Sequence, residues 1–293
     1  LFFALPKSLK GSIKMRGKNT QADKNKITPA KRKKLVARLA VLCLLAVFIF
    51  APFTAGIRSI AVMGAYDLYC NQTSLPHALG LSLDMPLQNL DLFPVMVTMS
   101  DDAGMSSWLH TPVRFTVDYT IGGYPFLSGH SRFYDTDSPL YGAYIGAYYL
   151  YGLGHATDND TVMQITAFDQ RCLALPAAGL DAARAQFSAG NIRQDSKAVN
   201  ISGYDWQRYD ADISTNGPEH QKKGFQTGYL LFGDPPPSEE DYPLRTMAGR
   251  IYTTYIADKD LTVGLYILAR DEGMVKEIDR RVVSQTRLTW QAK

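Results

Sequence analysis

The side chains best suited to chemistry fall in one short stretch, HSRFYDTD at residues 130–137. Asp135 and Asp137 are two carboxylates at i, i+2, a pair able to serve as general acid and base or as cation ligands, with His130 and Tyr134 placed to orient a substrate. The same residue types also fit a loop whose short polar side chains cap the element that follows, and that reading is favoured. Just downstream, PLYGAYIGAYYLY at 139–151 concentrates tyrosine. Tyr144 and Tyr148 in this run are candidates for an aromatic ligand platform, against the commoner use of such rings as core.

Other catalytic patterns are missing. His77, His110, His130, His155 and His220 show no paired or HExxH-type spacing, and there is no GxSxG elbow or P-loop. Ser128 and His130 are sequence neighbours, which is not the spatial geometry a nucleophile needs. Asp158 and Asp160 match only the start of an EF-hand loop and read as a turn. No cofactor and no metal site is expected. Binding is therefore favoured over catalysis, with a surface-anchored hydrolase of glycan or cell-envelope material, using Asp135 and Asp137, as the enzymatic alternative.

The element that must position all of this is LAVLCLLAVFIFAPFTAGI, residues 39–57, nineteen residues without a charge. Such a run predicts a helix long enough to cross a bilayer core of about 30 Å. It divides the charge. Residues 1–38 carry twelve Lys and Arg against one acid, Asp23, leaving 19 basic and 27 acidic residues beyond and an overall charge of +3. Basic flanks stay cytoplasmic, so the chain is expected to be a single-pass membrane protein with its N-terminus inside and its larger part outside. The competing reading, a cleaved signal peptide, has a shorter apolar region of about 7 to 15 residues. The first residue is Leu, and Met15 is an alternative start. The basic tail is assigned to orientation and to anionic lipid headgroups, with no nucleic-acid partner expected.

The expected organisation is a basic, disordered cytoplasmic tail at 1–38, a transmembrane helix at 39–57, a membrane-proximal segment at 58–92 and an extracytoplasmic α+β domain at 93–293. Its partners would be the bilayer and an extracytoplasmic protein or glycan. An accessory subunit of a membrane complex is a further reading, since Gly and Ala in the apolar run permit close helix packing. Cys70 and Cys172 fall on the outer side, where disulfides persist, and are expected to pair; Cys43 lies in the apolar run. Asn71, Asn159 and Asn200 stand in N-x-S/T sequons.

Within the domain, period-two alternation at 113–121 predicts a half-buried strand. Strands are also expected at 93–99, 124–127, 161–168, 199–201, 206–213 and 225–232, with an exposed loop at 233–243. For 139–151 a strand is favoured over a Ser138-capped helix, and 152–160 is then a hairpin loop. The hairpin of 250–257 and 261–269 around Asp258-Lys259-Asp260 is the clearest β signal. Helices are expected at 176–189, Ala-rich, and after Asp271, with Met274, Ile278 and Val282 on one stripe. This order predicts an antiparallel sheet with helices packed on one face.

Overall fold

The computed structural model describes residues 29–50, 65, 68–90, 97–120, 135–175, 183–217 and 242–291. The chain forms two compact units, Leu1–Phe50 and Ala51–Lys293.

In the first unit one helix, α1 (Pro29–Phe50), is described. It begins ten residues before the apolar run, taking in Lys31–Lys34 and Arg38, so these basic residues are helical where disorder was expected. Pro at the first turn is compatible with a helix start, and Lys, Arg, Ala and Leu are strong helix formers. Its apolar side chains are exposed, Leu44 at 69% and Val36 at 60%. Among the described residues no helix is long and apolar enough to cross a membrane; residues 51–57 of the predicted span lie outside the described residues.

The second unit is α+β. Its main sheet runs β2 (Val97–Ser100), β3 (Arg114–Tyr119), β4 (Tyr144–Tyr151), β9 (Leu261–Ala269), β8 (Arg245–Ile256), β7 (Tyr204–Thr215), β5 (Phe187–Gln194), with the short β6 (Val199–Ile201) hooked onto β7. A separate two-stranded ribbon pairs β1 (Leu81–Asp84) with β10 (Arg287–Trp290). All of these pairings are antiparallel. The expected hairpin is present as β8–β9. The favoured strand at 139–151 is β4, preceded by turns rather than extending to Pro139.

The sheet separates two cores. Ile145, Ala147, Tyr149, Val263, Leu265 and Ile267 point to one side, under the ribbon and α5 (Glu272–Arg281). Tyr144, Tyr148, Leu150, Tyr266 and Leu268 point to the other, under α3 (Asp102–Leu109) and α4 (Asn159–Phe168). Helices thus cover both faces, not one as expected. The reason is visible in β9: all nine of its residues are buried, and a strand with no polar side needs cover on both sides. α5 is capped as expected, with Asp271 accepting from Met274 N at 2.8 Å. Its buried residues are Val275 and Ile278, followed by the buried C-cap Val282, and Met274 is only partly buried.

Two helix and strand assignments reverse. Residues 161–168 form α4. Asp158 accepts from Thr161 N at 2.8 Å as its N-cap, and Val162, Ile165 and Thr166 recur at helical spacing on the buried side. Here capping and packing override the β preference of a β-branched run. The segment 152–160 therefore joins a strand to a helix and is not a hairpin loop. In the predicted helix 176–189, residues 176–182 lie outside the described residues, and Phe187 opens β5 opposite Thr215. The Gly190-Asn191 pair sits at a break in register inside β5, where Asn191 has φ 49°. Residues 93–96, 121, 124–127 and 225–241 also lie outside the described residues.

Two glycines hold the tyrosine-rich strands together. A Cβ on Gly146 would stand 2.3 Å from the Tyr266 hydroxyl, and one on Gly264 2.1 Å from the Tyr148 ring. Gly146 is the register partner of Tyr266, and Tyr148 of Gly264. Each ring lies over the glycine of the neighbouring strand. Gly264 therefore marks close packing and not a bulge, because the β4–β9 register is unbroken.

Candidate functional site

His130 and Tyr134 lie outside the described residues. Asp135 and Asp137 are exposed in the turn before β4, where Asp135 accepts from Asp137 N at 3.0 Å through its side chain and from Ser138 N at 2.9 Å through its carbonyl. Tyr144 and Tyr148 are sealed in the core at 4% and 0% exposure. No disulfide links Cys70 and Cys172. Cys70 is buried and Cys172 is exposed. Cys70 precedes α2 (Leu75–Leu79), whose Leu75 belongs to the ribbon-side core, whereas Cys172 sits beside Leu173 and Ala174 of the other.

The helix-covered face carries a buried acid. α4 runs directly into a π-helical turn at Asp169–Ala174, a geometry frequent at functional positions. Asp169 is fully buried there. Its Oδ2 accepts from Tyr144 and from Gln170, each at 3.4 Å, while Tyr266 donates to the Tyr144 hydroxyl at 3.1 Å. The rings of Tyr119, Tyr144 and Tyr266 stack at 5.4 and 5.2 Å. Asp169 Oδ1 and the Tyr148 hydroxyl have no partner among the described residues. Burial pushes the Asp169 carboxyl up to about 7, against the lowering effect of the polar groups of Tyr266, Gln170 and Tyr144 beside it. Burial likewise raises Tyr144 and Tyr266 well above the ordinary tyrosine value. This cluster is closed to ligands.

The ribbon face is open beside β1. A cleft of about 370 Å³ lies between β1 and the end of the sheet formed by β2, β3 and β4. Its polar floor is Asp118 of β3, which accepts from Thr98 Oγ1 at 2.6 Å and is hydrogen-bonded by the Tyr149 hydroxyl. Burial and then the Asp118 charge raise Tyr149 well above its ordinary value, so the phenol stays protonated and donates. Asn71 and His77 form the rim, both exposed. Leu81, Ser82 and Leu83 of β1 form the facing wall.

Local structure sets this geometry. Ser74 caps α2 by accepting from His77 N at 3.3 Å, and Leu75 N donates to Thr116 Oγ1 at 3.2 Å, tying α2 to the sheet. Gly80 ends α2 at φ 70°, a left-handed conformation that turns the chain sharply into β1. Among the described residues no group of three or more His, Cys, Asp or Glu is placed to hold a metal ion.

Asp118, Thr98, Tyr149 and His77 were not singled out by sequence. Asp118 sits on the polar side of the alternating strand 113–121, a position read as solvent-facing. The available signal was the apolar β9 run, which demands cover on both faces and so gives the polar side of β3 a neighbour. Comparison of the chain with protein-family models, with curated proteins and with solved structures finds no match.

Proposed function

We propose that this chain is a single-pass membrane protein, N-terminus inside, whose extracytoplasmic α+β domain binds a ligand or partner in the cleft between β1 and β2–β4. The observation that carries the binding reading is the Thr98–Asp118–Tyr149 arrangement. Asp118 is held by two hydroxyl donors at the floor of a 370 Å³ concavity. A small number of fixed polar groups in a concave site is the usual architecture of recognition. Its carboxylate is already hydrogen-bonded, which suits charge and hydrogen-bond reading better than proton transfer. The membrane reading rests on the charge division of the sequence and on α1, whose large apolar side chains are 47 to 69% exposed.

Two experiments test these parts separately. For orientation, Cys172 is an exposed thiol. A membrane-impermeant maleimide is expected to label it in intact cells; labelling that needs lysis would overturn the N-in topology. For the cleft, a photoreactive benzoylphenylalanine at exposed Ser82 is expected to give ultraviolet-dependent adducts in the native membrane. The same group at Lys276, exposed on α5, should give none. Equal yields at both positions would remove the cleft as the binding site.

A further inference from the structure

Among the described residues, one hydrogen-bonding edge of the β1–β10 ribbon has no partner, and it borders the cleft. In an antiparallel pair, opposite residues alternate between exchanging backbone hydrogen bonds and pointing those groups outward. Gln291 N donates to Gly80 O at 2.8 Å, which fixes the phase. Leu81 opposite Trp290 and Leu83 opposite Leu288 are then the outward pairs, and Ser82 opposite Thr289 an inward one. The outer edge of β10 confirms this phase. Leu288 N donates to Ser202 Oγ at 2.9 Å, and Ser202 Oγ donates to Leu288 O at 3.2 Å. One edge of the ribbon is therefore closed by a serine. On the other edge, the outward amides and carbonyls of Leu81 and Leu83 have no hydrogen-bond partner among the described residues, and both residues line the cleft.

Resting on the binding reading above, we infer that the ligand is an extended peptide segment of a partner protein that adds to β1 as a third strand, carrying a basic side chain to Asp118. An edge strand bordering a concave groove offers main-chain hydrogen bonds for affinity and side-chain positions for selectivity. Leu81 and Leu83 present two donors and two acceptors at the two-residue repeat of a strand, the pattern an extended backbone matches. Asp118, across the cleft from β1, selects the charge. The chain beyond residue 38 has 27 acids to 19 bases, so its field favours a basic peptide. A free edge is otherwise a hazard for pairing with the wrong chain, and here it lies recessed in a cleft.

The test uses the full chain in detergent micelles on an array of randomised decapeptides, followed by hydrogen-exchange mass spectrometry with the strongest peptide. The expected result is enrichment of Lys or Arg among binders, and at least tenfold slower exchange over residues 81–84 when the peptide is bound. Leu83→Pro removes one outward N–H without touching the ladder to β10 and is expected to weaken binding at least tenfold. Because Leu83 also packs on the core, Asp118→Asn is the second variant; it keeps one acceptor oxygen, removes the charge and should abolish the preference for basic residues. Peptides that bind without protecting 81–84, and equally well to L83P, would overturn strand addition while leaving the cleft reading intact. A glycan array giving binders in the cleft where the peptide array gives none would overturn the peptide class alone. Protection of 81–84 in the unliganded chain, lost on dilution, would assign the edge to a second copy and overturn a partner peptide. No binder of either kind, with no adduct at residue 82, would overturn both readings.

Discussion

The two faces of one sheet have been put to different uses. On the helix-covered side, Tyr144, Tyr148 and Tyr266 close over a buried acid and expose nothing. On the ribbon side, Tyr149 and Asp118 sit in the floor of an open cleft. Tyr148 and Tyr149 are neighbours in sequence with opposite fates, because successive strand residues point to opposite faces. The difference shows that residue type does not mark the site here. What marks it is whether the covering layer is continuous, as α3 and α4 are, or leaves a gap between ribbon and sheet.

The sharpest way to break the closed face is steric. Gly264→Val places a Cβ 2.1 Å from the Tyr148 ring, which is flanked by Phe115 and Tyr266. Overpacking of this kind is expected to cost about 3 kcal/mol or more, read as a lower denaturation midpoint in urea. Gly190→Val, where no atom stands within 4 Å, is the control.

A smaller loss is expected on the ribbon side from Arg250→Met. Arg250, 8% exposed, bridges Asp210 at 2.6 Å and Asp279 at 2.8 Å between β7, β8 and α5. Removing it leaves two partly buried carboxylates without their shared cation. The expected cost is about 2 kcal/mol, reduced from a fully buried pair because Asp210 and Asp279 keep 24% and 18% exposure. Neutralising both acids as well should recover part of it.

The third difference is in pH. Asp169 is raised from an ordinary 3.8 to about 7. The folded chain therefore keeps a proton that the unfolded chain releases above pH 4. Stability contributed through this residue falls as pH rises from about 4 to about 7 and is level above that, by at most about 1.4 kcal/mol per pH unit. Asp169→Asn should flatten that part of the profile. A wild-type curve parallel to that of D169N across this window would mean that Asp169 titrates normally.

Much of this architecture was legible in the chain. The β8–β9 hairpin and the Asp271 cap of α5 follow from local rules that packing did not disturb. The errors share a cause. Residues 161–168 have strand composition and 187–189 end an Ala-rich run, yet Asp158 caps the first as a helix and pairing with β7 draws Phe187 into a strand. Both are decisions of tertiary context, which a window of ten residues does not contain. The helices on both faces were implied by β9 but overlooked because β3 alternates so cleanly. The site was hidden for the same reason. Asp118 resembles any solvent-facing strand acid until α2 and β1, more than thirty residues earlier, are folded beside it. The Cys70–Cys172 pairing rested on a count of two, and a count carries no information on whether burial lets the two thiols meet.

The contrast between the faces is tested most directly by comparing two acid neutralisations in one binding assay. The full chain and its D118N and D169N variants would be titrated with the strongest array peptide at pH 7.5. D118N is expected to weaken binding at least tenfold and D169N to bind as the wild type does. Full binding by D118N together with loss in D169N would place recognition on the tyrosine face and contradict that expectation.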